Sequence, residues 1–173
     1  MKIILASASP RRLEIMNKHG ISPVVMPQDT DETLPEGIGM TKAVEMLAAS
    51  KARACYASVK DDPAYDGYVI VGSDTIVWKD EIMGKPADKA DAFRMLDKIR
   101  GTHHYVVTGV CMIDKNSGSE HVLSDVTAVY CKDYSDEDIE DYISREEPYD
   151  KAGSYAIQGY FGRYIDHIDG DYE

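Results

Sequence analysis

At 173 residues with 43% hydrophobic content, the chain is long enough for one well-packed domain, at most of two lobes, and short for two independent cores. A net charge of −12 works against any partner held by a long phosphate backbone, because that affinity comes from lysines and arginines releasing counterions, so no nucleic-acid partner is expected. No apolar run approaches the ~18 residues of a membrane helix, and the opening Met-Lys-Ile-Ile-Leu-Ala is too short for a signal-peptide core, so a soluble cytoplasmic protein with no membrane partner is expected.

Lys2 to Ala6 reads as a short apolar strand. Ser9 then looks like an N-cap with Pro10 at the first helical position, Leu13 and Met16 on one face, and Gly20 as the stop. Pro23 to Met26 is a second short strand, followed by a loop from Gln28 to Gly39. Thr41 to about Val59 is a long helix with Val44, Leu47, Ala48, Ala52 and Cys55 on one stripe. Tyr68 to Trp78 is an apolar, β-branched run that Gly72-Ser73-Asp74-Thr75 interrupts. Asp88 caps a helix through Phe93, Leu96 and Ile99 that stops at Gly101. His104 to Ile113 and His121 to Cys131 form a hairpin around Asn116-Ser117-Gly118-Ser119. Ser135 caps a short acidic helix to Ser144, and Tyr164 to Ile168 is the last strand. Early alternation of strands and helices with a later hairpin predicts an α/β fold on a mixed sheet.

Several residues break these local patterns. Arg11 and Arg12 fall in a first helical turn, where the dipole disfavours a cation by ~0.3 to 1 kcal/mol each, and an anion meeting the free N–H groups would offset that. Two solvated surface arginines are the alternative. Lys51 lies seven residues after Val44 and four after Leu47, on the apolar stripe, so it must snorkel or find a partner. Asp74 stands in a buried strand, where a carboxylate is costly unless paired, bound to metal or bonded to backbone amides at a strand break. Lys85 in Gly84-Lys85-Pro86 is held extended by the proline. Asp29-Thr30-Asp31-Glu32, Glu36 and Glu45 add oxygens of the hard type that magnesium favours. Asp150 to Gly159 packs a lysine, two glycines and a glutamine into one segment, which suits a backbone close to a ligand. Cys55, Cys111 and Cys131 are odd in number and lack a Cys-x-x-Cys pair, so buried reduced thiols are expected. The histidines have no ligand spacing, and the twelve tyrosines are spread without forming a stacking platform.

On these residues the sequence resembles the Maf family of nucleoside triphosphate pyrophosphatases. SASPRR (Ser7 to Arg12), Asp31-Glu32, LAASKA ending in Lys51 and Ala52, GSDT (Gly72 to Thr75), GKP (Gly84 to Pro86), TGV (Thr108 to Val110) and DKAGSYAIQG (Asp150 to Gly159) occur in the family's order over nearly the whole chain. The resemblance implies one Maf-like domain over 1–173, with an elongated mixed central β-sheet flanked by helices in two lobes around a cleft, akin to inosine triphosphate pyrophosphatases. It implies cleavage of a nucleoside triphosphate between the α and β phosphates with a divalent metal cation, Mg2+ or Mn2+. Asp74 would be the proton acceptor, with Lys51 and Lys85 beside it in the catalytic group. Arg11, Thr75 and Gln158 would govern base choice, and Ser7, Arg12 and Lys151 would bind phosphate. Glu32 and Asp74 would hold the metal, directly or through water.

The glutamine in AIQG resembles the subgroup acting on dTTP and UTP, whereas a subgroup preferring 7-methyl-GTP has glutamate there. Modified pyrimidine nucleotides are further candidate substrates. A pyrophosphatase for deaminated purine triphosphates and a non-catalytic nucleotide-binding regulator of cell division are the rival readings, and a homodimer is the expected assembly. Family members usually continue past the GDY matched by Gly170 to Tyr172, through an Asn-Val-Val-Gly-Leu-Pro type segment and a helix. This sequence ends at Glu173, and none of the polar site motifs is missing.

Overall fold

The computed structural model describes residues 2–172. In chain order it has β1 (Lys2–Leu5), α1 (Pro10–Lys18), β2 (Val24–Val25), α2 (Met40–Val59), β3 (Tyr68–Lys79), β4 (Glu81–Met83), α3 (Lys89–Ile99), β5 (His103–Asp114), β6 (Glu120–Cys131), α4 (Asp136–Ile143) and β7 (Ile165–Asp169). Short 3-10 turns cover Pro63–Tyr65, Glu147–Asp150, Ala152–Ser154 and Tyr160–Tyr164. The strands form one mixed sheet in the order β2-β1-β3-β5-β6-β7, with β4 paired to β3. β1 runs parallel to β2 and β3, while the β3–β4 and β6–β7 pairs are antiparallel. The expected α/β class with a mixed sheet is therefore the observed one. No helix among the described residues is long and apolar enough to cross a membrane.

The chain divides into two compact units, residues 2–75 with 108–125, and 76–107 with 126–172. In the first, the stripe of α2 buries Val44, Leu47, Ala48, Ala52, Cys55 and Val59. Ile4, Ile70, Cys111 and Ile113 from the strands complete that core. The helix rests directly on strand backbone at two glycines. A Cβ on Gly72 would stand 2.6 Å from Ala52 N, and one on Gly109 would stand 2.5 Å from Val44 O, distances no side chain tolerates. The Ala48 and Ala52 side of α2 can approach this closely because it carries only methyl groups. Asp74 lies two residues beyond Gly72 on the same strand face, and so meets the helix one residue before Ala52.

In the second unit α3 and α4 pack together over a core that includes Leu96, Ile99, Ile139, Tyr142, Ile143, Tyr155 and Phe161. The side chains of Asp88 and Ser135 both cap their helices as expected, and Ser135 forms a full capping box with Asp138. Four tyrosines surround Phe161, with ring centroids 5.0 Å away for Tyr142 and Tyr155, 5.3 Å for Tyr164 and 5.5 Å for Tyr134. The tyrosines are thus less scattered than their spacing suggests. Their hydroxyls reach polar partners at the cluster's edge, as in the bond from Tyr134 to the Leu96 carbonyl at 2.6 Å.

Three local expectations are corrected. β3 runs without a break through Gly72 to Thr75, so Asp74 is a ladder residue and not a strand-break aspartate. Ser9 stands at the N-cap of α1 but makes no side-chain cap bond, and its backbone N–H donates to Ser7 Oγ at 3.2 Å. The run from Pro23 to Met26 is a strand only at Val24 and Val25, with the Met26 N–H adding a bond to the Leu5 carbonyl at 2.9 Å. All three cysteines are free and buried, as expected.

His104 in β5 is fully buried, and burial, with smaller contributions from the charges of Lys79 and His103, brings its pKa from the ordinary 6.5 down to about 4. Between those values the unfolded chain binds a proton that the folded chain does not. The folded state therefore loses stability as pH falls through this window, by about 2 kcal/mol at pH 5. Denaturant unfolding at pH 7 and pH 5 should show that loss in the wild type and a smaller one in His104→Gln. Equal pH dependence of the two proteins would refute it.

Candidate active site

Lys51 is the centre of the polar group in the first unit. Its Nζ lies 2.8 Å from Glu32 Oε1 and also bonds Asp74 Oδ2. The Lys51 and Asp74 side chains are only 17% and 15% exposed, so the pair is largely desolvated, whereas Glu32 is 61% exposed and closes it from the solvent side. Burial works to lower the Lys51 pKa, but hydrogen bonds and attraction from Asp74 and Glu32 outweigh it and leave the ammonium above its ordinary value. The second oxygen of Asp74, Oδ1, accepts the Thr75 N–H at 2.7 Å. Both oddities of the sequence thus have one explanation: the lysine on the apolar stripe and the carboxylate in the buried strand compensate each other.

A second cation joins from α1. Arg12 bends off its helix so that Nη1 donates to Ser7 Oγ at 3.0 Å and Nη2 to Thr75 Oγ1 at 3.3 Å. Burial lowers the Arg12 pKa and the nearby Asp74 charge opposes that shift. Thr75 Oγ1 is also 3.0 Å from Thr108 Oγ1, across from β3 to β5. Thr108 had no role in the sequence reading beyond its place in the TGV motif. Its partnership with Thr75 is set by strand register, which one sequence does not reveal. Arg11 is exposed on the same first turn.

A cavity of about 450 Å³ opens beside this group, lined among others by Ser7, Gln28, Asp29, Thr30, Glu32 and Lys51. The other acidic candidates, in the loop and on α2, are engaged elsewhere or turned outward. Asp31 accepts the Thr33 N–H at 2.9 Å and hydroxyl at 2.6 Å, and Glu45 accepts from Ser124 Oγ at 3.0 Å. Glu36 is exposed. No cluster of three or more His, Cys, Asp or Glu side chains suited to a metal occurs among the described residues. Glu32 and Asp74 nevertheless converge on a single ammonium, which shows that their oxygens can share one cation. Magnesium takes only one or two carboxylates from a protein and completes its shell with phosphate and water, so this pair fits it.

The second unit holds the other expected residues. The Gly153 N–H donates to the Gly84 carbonyl at 3.0 Å, so the segments bearing Lys151 and Lys85 are neighbours. Gly153 is needed there twice over: its φ is +69°, and a Cβ would stand 2.9 Å from Val77 Cγ1. Lys151 Nζ pairs with Asp150 at 2.5 Å, a hydrogen bond that lowers the Asp150 pKa, while Lys85 is exposed. Gln158 is exposed on a turn closed by the Gly159 N–H on the Ala156 carbonyl at 3.0 Å. The structure thus gathers Ser7, Arg12, Glu32, Lys51, Asp74 and Thr75 into one network. It separately brings together the segments of Lys85 and Lys151, close in sequence to Gln158.

The profile of the family described as Maf-like protein matches residues 2–173. A dTTP/UTP pyrophosphatase of Caldicellulosiruptor bescii is 39% identical over 170 residues, spanning 98% of this chain and 84% of that protein. A dTTP/UTP pyrophosphatase of Koribacter versatilis is 43% identical over 173 residues, spanning 99% and 86%. Among solved structures, the Staphylococcus aureus Ham1 protein shares the fold with a TM-score of 0.50 at 15% identity, over 76% of this chain and 72% of that one. A family match from end to end, with relatives this similar over nearly the whole length, means that the chain built around Lys51, Asp74 and Glu32 belongs to the Maf-like protein family.

Proposed function

We propose that this protein is a nucleoside triphosphate pyrophosphatase that hydrolyses dTTP and UTP to the monophosphate and pyrophosphate, acting as one domain over 1–173 in the cytoplasm. The observation that carries the reading is Lys51 held between Asp74 and Glu32, in a chain whose relatives bear the name dTTP/UTP pyrophosphatase. Three buried free thiols are in keeping with a reducing compartment.

In this reading water attacks the α-phosphorus, Asp74 accepts its proton, and the bond from the α-phosphorus to the bridging oxygen breaks so that pyrophosphate leaves. Lys51 pairs with Asp74 and orients its carboxylate. Arg12, with Ser7, meets phosphate oxygens, and Lys85 and Lys151 neutralise the departing pyrophosphate. A triphosphate brings about four negative charges, and each cation at 4 Å contributes ~4 kcal/mol at an effective dielectric of 20, before desolvation is subtracted. That local attraction outweighs a net charge of −12, which is screened beyond ~8 Å. Glu32 and Asp74 would hold a divalent cation, Mg2+ or Mn2+, which when bound polarises phosphoryl oxygens and neutralises developing charge.

Base choice falls to Arg11, Thr75 and Gln158. The Gln158 amide has one acceptor and two donors. Thymine and uracil share an N3–H donor beside a carbonyl, so one amide orientation pairs with both. Cytosine presents the opposite pattern, at ~1 to 3 kcal/mol for each group left unpaired. Over a panel of dTTP, UTP, CTP, 7-methyl-GTP and ITP, kcat/KM should be highest for dTTP and UTP and at least about tenfold lower for CTP. Gln158→Glu should lose dTTP and UTP turnover, because a carboxylate cannot donate to the base carbonyl. Equal use of CTP and UTP by the wild type would remove Gln158 from this role.

A further inference from the structure

The turn that carries Gln158 is pinned from both sides by side chains that the proposed chemistry does not use. Before it stands Tyr155, buried, with its hydroxyl 2.5 Å from Nε2 of the fully buried His104 and the two rings edge to face at 5.3 Å. The other ring nitrogen, Nδ1, faces Cys131 Sγ at 3.9 Å, so both nitrogens of His104 are engaged. Burial holds His104 uncharged at neutral pH and pushes the Tyr155 hydroxyl further up from its ordinary value. After the turn the backbone is held by Glu147, whose Oε1 accepts the Tyr142 hydroxyl at 3.1 Å and whose Oε2 accepts the Tyr160 backbone N–H at 3.2 Å. Its carboxylate also fills the space beside Gly159, where a Cβ would collide with Oε1. Only residues 156 to 159 lie between Tyr155 and Tyr160, the two hydrogen-bonded anchors.

Packing alone does not call for these polar groups. Tyr155 already packs against Phe161, the rings tilted with centroids 5.0 Å apart, and a phenylalanine in its place would keep that contact without a hydroxyl to satisfy. Replacing both members of a buried polar pair by apolar groups of the same shape is often neutral or stabilising. What a satisfied buried pair adds is one fixed setting in place of several. Here the setting belongs to backbone that ends at Gln158.

We propose that His104, acting through Tyr155, and Glu147, acting through Gly159 and Tyr160, are positioning residues that fix Gln158 for base choice. The inference rests on the base-choice reading of Gln158 above. Tyr155→Phe removes one oxygen and should lower the UTP to CTP ratio of kcat/KM at least about threefold, carried by a higher KM for UTP with kcat held within about twofold. Glu147→Ala should do the same, and Glu147→Gln, which keeps an oxygen for the Tyr160 N–H, should restore the ratio to within about twofold of wild type. Hydrogen exchange at the Gly159 amide should quicken in Tyr155→Phe and Glu147→Ala. Should these variants melt earlier yet keep both the ratio and the exchange rate, the anchors would be structural only and the proposal overturned. Gln158→Ala separates the two ideas. If it collapses the ratio while the anchor variants do not, positioning alone fails; if it leaves the ratio unchanged, the base-choice reading fails and the proposal with it. Were Glu147→Ala to misfold, Tyr155→Phe decides the question.

Discussion

Asp74→Asn should lower pyrophosphate release by at least the ~10² typical of a general base while leaving a folded protein that still binds nucleotide. The substitution is close to isosteric. An amide oxygen can still accept the Thr75 N–H that Oδ1 accepts now at 2.7 Å, and Lys51 retains Glu32 at 2.8 Å as a charged partner. What disappears is the negative charge that accepts a proton and attracts a cation. Arg12 also loses the attraction that now opposes its desolvation. Steady-state pyrophosphate release, nucleotide binding by calorimetry and a thermal melt on the same preparation make the test. Wild-type turnover in a well-folded Asn variant would take the proton-acceptor role away from Asp74.

What could be read in advance follows the range of the interaction. Helix limits depend on residues a few positions apart, so the Asp88 and Ser135 caps and the stripe of α2 were legible from spacing alone. The oddity of Lys51 and Asp74 was legible too, since each violates its own element's pattern. That they answer each other was not, because 23 residues separate them in sequence. Their meeting depends on Gly72 letting α2 rest on β3. The same holds for Arg12 with Thr75, 63 residues apart, and for Thr108, whose part depends on the pairing of β5 with β3. The run from Asp150 to Gly159 was legible as important but not as structure. It folds through 3-10 turns held by tertiary bonds to Gly84 and His104, with Glu147 holding Tyr160 just past its end, and has no period of its own. The apparent break at Asp74 misled because a carboxylate in a strand is costly only until its partner is known.

Lys51→Met should reduce turnover by a similar ~10²-fold and, unlike Asp74→Asn, should strengthen the response to divalent cations. Methionine matches the aliphatic stem of lysine and packs beside the buried Leu47, Ala48 and Ala52 of the α2 stripe, so the helix itself loses little. Glu32 and Asp74 would then face each other with no ammonium between them. Two unit charges ~5 Å apart repel by about 3 kcal/mol at an effective dielectric of 20, less here because Glu32 is 61% exposed. That repulsion should appear as a lower melting temperature in the absence of divalent salt. In the wild type a metal ion held by Glu32 and Asp74 would compete with the ammonium for the same two carboxylates, so cation binding would have to displace or share an existing partner. Without the ammonium the carboxylates are free to take the ion, and any ligand binding only the folded state raises stability by RT ln(1 + [L]/Kd). Millimolar Mg2+ should therefore raise the melting temperature of Lys51→Met by several degrees more than that of the wild type. The double variant Lys51→Met with Glu32→Gln should lose that excess. An identical Mg2+ shift in Lys51→Met and wild type would show that Glu32 and Asp74 do not form a shared cation site, even if turnover fell as expected.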